Sequence, residues 1–390
     1  MTSNSTSPQT ATLLAGVPSD NKAVYHRIRF SAHDPAVWVR FHDGKTALII
    51  RDVELQRARK AVRVDEVSVP ADWTPAGGLS GDREIATAQA AAEFLRCRDI
   101  KRVISDRSLP FIFAAEMKRA GIECECDPDL GVRDRRSKDA QEVAFLQKAQ
   151  SVTEAAIQMA CELIARANAD KDGVLRDPRD AASPLTSERV KAAIDIFLAE
   201  RGFSSDGHIV AGGPASADCH FDGAGPLRTA QPVIIDVFPC DRSSGYYGDC
   251  TRCVVHGDIP DEVARMHATV IAAKNAGIAA TRAGVTGEEV HNATARVITD
   301  AGYNLGFPPE NAPAGYCSMP HGTGHGLGLS LKEPPLLDRL GPELIVGDAV
   351  TVEPGLYALG IGGIRIEDLV IVRKNMCENL NRLPEGLTWR

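Results

Sequence analysis

Val233-Ile-Ile-Asp-Val-Phe-Pro-Cys-Asp-Arg-Ser-Ser-Gly-Tyr-Tyr-Gly-Asp-Cys-Thr-Arg-Cys-Val-Val255 reads as two apolar strands joined by a turn, each carrying a carboxylate. Asp236 closes the first strand, Asp249 opens the second, and Pro239, Ser243, Ser244 and Gly245 supply the turn. Adjacent antiparallel strands would set the two acids against each other on a surface that is otherwise apolar. Carboxylates in such positions lose solvation and repel, so something cationic belongs between them. Arg252 is the chain's own candidate, but side chains alternate along a strand and its face is the other one.

Three further segments supply partners. Met319-Pro-His-Gly-Thr-Gly-His-Gly-Leu-Gly-Leu329 places His321 and His325 in a stretch too rich in glycine for a stable helix, which implies close backbone approach. A nucleotide-binding glycine loop is the rival reading. It is disfavoured because no strand pattern directly precedes the segment, no helix pattern follows, and two imidazoles occupy the turn. Thr351-Val-Glu-Pro-Gly355 and Gly363-Ile-Arg-Ile-Glu-Asp-Leu-Val370 each put a glutamate, Glu353 and Glu367, where alternation demands a buried position. Four acids and one imidazole of this hardness suit Mn²⁺, Co²⁺, Fe²⁺ or Zn²⁺, and so many acids imply a bridged pair of ions. Two cations roughly 3.5 to 4 Å apart would hold a bridging hydroxide at neutral pH, polarise a carbonyl and stabilise a tetrahedral oxyanion. That chemistry is amide-bond hydrolysis without a covalent intermediate.

Around this core the chain divides into two domains, as 390 residues would suggest. Residues 1–19 read as a flexible polar tail. Residues 20–135 alternate short strands (Ala47 to Ile50, Val103 to Asp106) with helices (Glu84 to Leu95, Pro110 to Ala120), a small α/β unit. Arg133 to Ser137 is a polar joint, after which Phe145, Ala149, Val152, Ala156, Met159 and Leu163 recur at helical spacing. Residues 136–390 then repeat one order twice: helices 139–167 and 187–201 before the strands near 233–237 and 251–255, and helices 261–282 and 287–301 before strands near 349–353 and 363–372. Thr286 and Glu289 stand at capping-box spacing, and Gly202 and Gly302 close helices. The fold class is α/β (α+β).

A composition of 44% apolar and 25% charged residues excludes a disordered or fibrous chain. The net charge of -8, with no basic run, excludes a nucleic-acid partner, since phosphates need clustered Lys and Arg. Met1 to Gly16 has neither basic residues nor a long apolar run, so no signal peptide or membrane span is expected. The 10 cysteines are scattered, and several fall in apolar stretches, which fits a reducing, cytoplasmic setting. Cys250 and Cys253 have the spacing of half a zinc site, but no second pair lies at suitable distance downstream.

On these motifs the chain, over about residues 137–380, resembles the pita-bread metallohydrolase family, which includes methionine aminopeptidases, Xaa-Pro aminopeptidases, prolidases and creatinases. The resemblance implies a C-terminal pita-bread catalytic domain behind a smaller creatinase-type N-terminal domain, an arrangement that favours the Xaa-Pro branch. It implies two divalent ions, Mn²⁺ favoured, with Asp236 on one, Asp249 and Glu367 bridging, and His325 and Glu353 on the other. Glu353 becomes the base, His220 and His321 the histidines that contact a peptide substrate, and Arg365 a neighbour of Glu367 at the substrate site. A homodimer is implied by analogy.

Two positions depart from the family pattern. Asp236 and Asp249 are spaced more widely, by an even number of residues that keeps both side chains on the same face. Lys332, seven residues after His325, stands where peptidases usually carry histidine. A lysine can donate a hydrogen bond to an oxyanion but is a poor proton shuttle near neutrality. The leading reading is therefore a dinuclear Xaa-Pro aminopeptidase or dipeptidase. The alternatives are a hydrolase of a small non-peptide amide or amidine on the same metals, which Lys332 makes credible, and a non-catalytic pita-bread binding module, which the complete ligand set opposes.

Overall fold

Thr10–Gly16 is an interior strand of a six-stranded sheet. The structure, a computed structural model, describes residues 9–389. The chain divides into two compact units, Met1–Arg135 and Arg136–Arg390.

In the first unit the sheet order is Glu66–Ser68, Thr46–Ile49, Ala36–Arg40, Thr10–Gly16, Arg102–Ser105, Glu123–Cys126. Thr10–Gly16 pairs antiparallel with Ala36–Arg40 and parallel with Arg102–Ser105. Ala11, Leu13 and Ala15 face one core with the helices Arg83–Arg96 and Phe111–Arg119; Leu14 faces a second core with Ala23, Val24, Ile28 and Ala58. A strand apolar on both faces is a central strand, so the expected flexible tail over 1–19 is corrected for residues 10–16, where burial overrides a composition free of charge. Residues 1–8 of that tail lie outside the described residues.

The second unit repeats a helix pair over a sheet. The helices Ala140–Ala165 and Ser187–Ala199 cover the antiparallel strands His208–Gly212, Pro232–Val237 and Cys250–Val255. The helices Asp261–Ala280 and Gly287–Asp300 pack with Cys317–Met319, Gly355–Ala358 and Gly362–Arg365, and with the adjoining strands Ala349–Val352 and Asp368–Val372. Two capping boxes act locally, one of them the expected Thr286–Glu289 pair. Asp139 and Glu142 exchange side-chain-to-backbone bonds at 2.9 Å, and Thr286 and Glu289 do the same at 3.1 and 2.7 Å. Gly202 and Gly302 adopt φ of 80° and 86° just past their helices, a conformation that favours glycine.

Three local expectations change. The polar joint at 133–137 is part of a short helix, Val132–Arg136, whose first N–H groups donate to Asp129 O; arginine is a good helix former and needs no apolar stripe there. In Ala140–Ala165 the fully buried stripe runs through Leu146, Ala149, Thr153, Ile157, Ala160 and Ile164, while Val152, Met159 and Leu163 are only partly buried at its edge. A short strand, Cys317–Met319, does lead into the glycine bend, which itself contains the strand Gly324–Gly326 and is followed by another strand, Glu333–Leu337, rather than by a helix. Among the described residues no helix is long and apolar enough to cross a membrane. Cys250 faces one core and Cys253 another, so the two thiols diverge.

Candidate metal centre

Along Pro232–Val237, Val233, Ile235 and Val237 point to the first helix pair, which turns Ile234 and Asp236 to the opposite, inner face. Asp236 pairs across the ladder with Thr251, and Asp249, two residues before Thr251, shares its face. Glu367 arrives from the second half. Its N–H donates to Thr251 O at 3.1 Å, and Thr251 Oγ1 donates to Glu367 Oε2 at 2.8 Å. All three acids are buried, and one carboxylate oxygen from each lies within 4.8 Å of the others.

His325 brings Nε2 to 3.7 Å from Asp249 Oδ2 and 3.4 Å from Glu353 Oε1. Its Nδ1 lies 3.1 Å from Gly326 O. A carbonyl only accepts, so Nδ1 carries the proton and Nε2 keeps its lone pair toward the acids, the tautomer a metal ligand requires. Thr351 Oγ1 accepts from His325 N–H and donates to Glu353 Oε1, both at 3.0 Å. Glycine is needed here, because a Cβ at Gly324 would strike Thr351 O and one at Gly326 would strike Glu333 O. The five expected ligands thus come together.

Electrostatics divide them. Burial, reinforced by the neighbouring acids, pushes Asp249 and Glu367 well above the usual carboxylate range, and it raises Asp236 although Arg365 pulls the other way. Burial opposes ionisation of Glu353 too, but nearby positive charge, that of Arg365 included, and the hydrogen bond from Thr351 hold this carboxyl below its ordinary value. Asp236 Oδ1 and Glu367 Oε1 are buried with no hydrogen-bond partner. A buried carboxylate oxygen left bare costs about 1–3 kcal/mol or more in lost hydration. Oxygen-rich donors with one imidazole and two bare oxygens fit divalent cations of the Mn²⁺ to Zn²⁺ series.

The acids open into a cavity of about 390 Å³ that is also lined by His220, His321, Lys332 and Arg365. His220 and Lys332 are exposed. Arg365 is buried and every guanidinium nitrogen is engaged: Nη2 with Asp236 Oδ2 at 2.6 Å, Nη1 with Tyr357 OH at 2.7 Å and Cys219 O at 3.3 Å, Nε with Thr251 Oγ1 at 3.3 Å. These bonds hold Arg365 against Asp236 while it still lines the cavity. His321 Nδ1 donates to Gly322 O at 2.8 Å, so its Nε2 accepts from Tyr357 OH at 2.9 Å. Burial holds His321 below the ordinary histidine range, in the neutral form this chain of bonds requires.

Sequence reading missed Gln150, Thr251, Thr351 and Tyr357. Gln150 is fully buried on Ala140–Ala165 and bonds the backbone of Asp249 at both its N–H and C=O. The only sequence signal was an amide interrupting a buried stripe. The two threonines are ordinary strand residues by pattern, and Tyr357 is an ordinary core aromatic.

Two mirrored helix-and-sheet halves closing on a buried carboxylate cluster define a hydrolase domain of the pita-bread class. Residues 144–374 match the model of metallopeptidase family M24, and the chain belongs to that family. It is 32% identical over 212 residues to a Mycobacterium tuberculosis protein named Probable dipeptidase PepE, a match that spans about half of each chain, 52%. A Xaa-Pro dipeptidase of Pyrococcus horikoshii is 25% identical over 294 residues, 74% of this chain and 75% of its own. The structure of a Xaa-Pro dipeptidase from Bacillus anthracis superposes with a TM-score of 0.77 over 97% of this chain and 94% of its own at 24% identity, a likeness of fold.

Proposed function

We propose that this chain is a dinuclear metallopeptidase that cleaves Xaa-Pro bonds in small peptides. The observation that carries the reading is the convergence of Asp236, Asp249, His325, Glu353 and Glu367 on one buried space with two carboxylate oxygens left bare. Asp236, Asp249 and Glu367 would hold one ion, and Asp249 and Glu367 together with His325 and Glu353 the second. Two such ions, Mn²⁺ favoured, would supply Lewis acidity toward the scissile carbonyl and activate water at neutral pH. One relative is named a Xaa-Pro dipeptidase and another a probable dipeptidase, and a cavity of this size accommodates a short peptide.

The chain's own residues divide the work. Glu353, the acid most readily ionised, takes the proton of the attacking water, and Thr351 fixes its orientation. Arg365 keeps Asp236 in place. His220, exposed on the lining, meets the substrate directly; His321 acts with Tyr357, each fixing the other's proton. The 10 thiols support a reducing, cytoplasmic setting, and a homodimer follows the family analogy.

The test is elemental analysis of the purified chain together with cleavage of Ala-Pro, Ala-Pro-Ala and Met-Ala-Ser. About two ions per chain and cleavage of the proline peptides are expected, and Asp249→Ala should lose metal and drop kcat/KM by about 100-fold or more. Metal-loaded protein that leaves both proline peptides intact, or full metal content in Asp249→Ala, would sink the reading.

A further inference from the structure

Lys332 and Arg365 are the two permanent cations in the cavity lining. Arg365 is spent on Asp236, Tyr357, Thr251 and Cys219. Lys332 is exposed and, among the described residues, makes no ion pair within the protein. A lysine without a partner on the wall of an acid-lined pocket is an unused half of an ion pair.

Its backbone is not free to wander. The next residue, Glu333, turns away from the cavity into a buried pair with Lys138, 2.7 Å apart, with side chains 3% and 1% exposed. A Cβ at Gly328 would sit 2.5 Å from Glu333 Oε1, so the glycine makes room for that carboxylate. Tyr247 N–H donates to Gly328 O at 3.0 Å. The segment is pinned at both ends while one ammonium is presented to the ligand space. Pinning also lowers the ordering cost of using it.

Charge balance points the same way. Five acids line the cavity: Asp236, Asp249, Asp338, Glu353 and Glu367. Those acids face the space between them and Arg365 is engaged with Asp236, so Lys332 is the positive group left for an incoming anion.

We propose that Lys332 reads a carboxylate on the substrate, selecting small peptides that carry an anionic group beyond the scissile bond. The inference rests on the peptidase reading above and sharpens it to a substrate class. The carboxylate has two sources, the free C-terminus of a dipeptide or an acidic side chain further along.

The test is equilibrium binding to the full-length, metal-loaded chain of a reduced-bond analogue of Ala-Pro, which cannot be cleaved, as free acid and as carboxamide. A third analogue, the reduced-bond Ala-Pro-Glu amide, carries only a side-chain carboxylate. Wild type should bind one of the acids about tenfold or more tighter than the carboxamide; which acid it prefers identifies the source. Lys332→Met should erase the preference and Lys332→Arg keep it. In turnover, Lys332→Met should raise KM for the preferred acid-bearing peptide, Ala-Pro or Ala-Pro-Glu amide, far more than it lowers kcat. An acid preference that survives Lys332→Met, or a wild type that binds neither acid better than the amide, overturns the proposal. Lys332-dependent binding without any turnover would count against the peptidase reading alone.

Discussion

Gln150 stands in for a missing β-strand. Its Nε2 donates to Asp249 O at 2.7 Å and its Oε1 accepts from Asp249 N–H at 3.0 Å, the pair of bonds a neighbouring backbone would make. Asp249 lies just before Cys250–Val255, where the ladder has not begun, so the amide alone fixes its main chain. Gln150→Leu keeps the volume and removes both bonds. It should cost about 1–3 kcal/mol in urea unfolding of the metal-free protein and weaken Mn²⁺ binding in a calorimetric titration by about tenfold. Unchanged metal affinity would reduce Gln150 to a purely structural role. The four acids were readable from sequence because a carboxylate inside an apolar alternation has few explanations. Gln150 was not, since its partner lies 99 residues away and nothing local announces it.

At the scale of elements, the long helix and the segment leading into the acid-bearing strand approach closely at Gly248. A Cβ at Gly248 would collide with Thr153 Oγ1 and lie 2.8 Å from Ala149 O. Gly248→Ala should push the start of Cys250–Val255 off the helix and cost about 1–3 kcal/mol, read from the shift of the urea midpoint. A variant as stable as wild type would show that the two elements slide apart freely. The close approach required by the glycine bend was legible from composition, and Gly324 and Gly326 show it. The partners they approach, Thr351 O and Glu333 O, were not, because pairing across strands far apart in the chain leaves no local trace. The same limit hid Thr10–Gly16. Seven residues without an alternating pattern look like a tail until strands from 36 and 102 close on both edges.

For the whole molecule, each hydrophobic cluster belongs to one unit: two below residue 135, three above it. The metal ligands all lie in the second unit. Scanning calorimetry should therefore show two transitions, of which only one rises when Mn²⁺ is added. At free metal 100 times Kd the gain is about 2.7 kcal/mol per site. Equal shifts of both transitions would mean that the units melt as one. The division into a smaller α/β unit and a twofold helix-and-sheet unit was visible in the order of apolar periodicities.

The place of Thr10–Gly16 in its sheet has a consequence for synthesis. Its parallel neighbour, Arg102–Ser105, leaves the ribosome about ninety residues later, a delay on the order of ten seconds at ordinary elongation rates. Through that interval a ribbon of alanine, threonine and leucine has only one flank covered. The nascent chain is then most exposed to sticking to its neighbours, and holdase chaperones have their natural client.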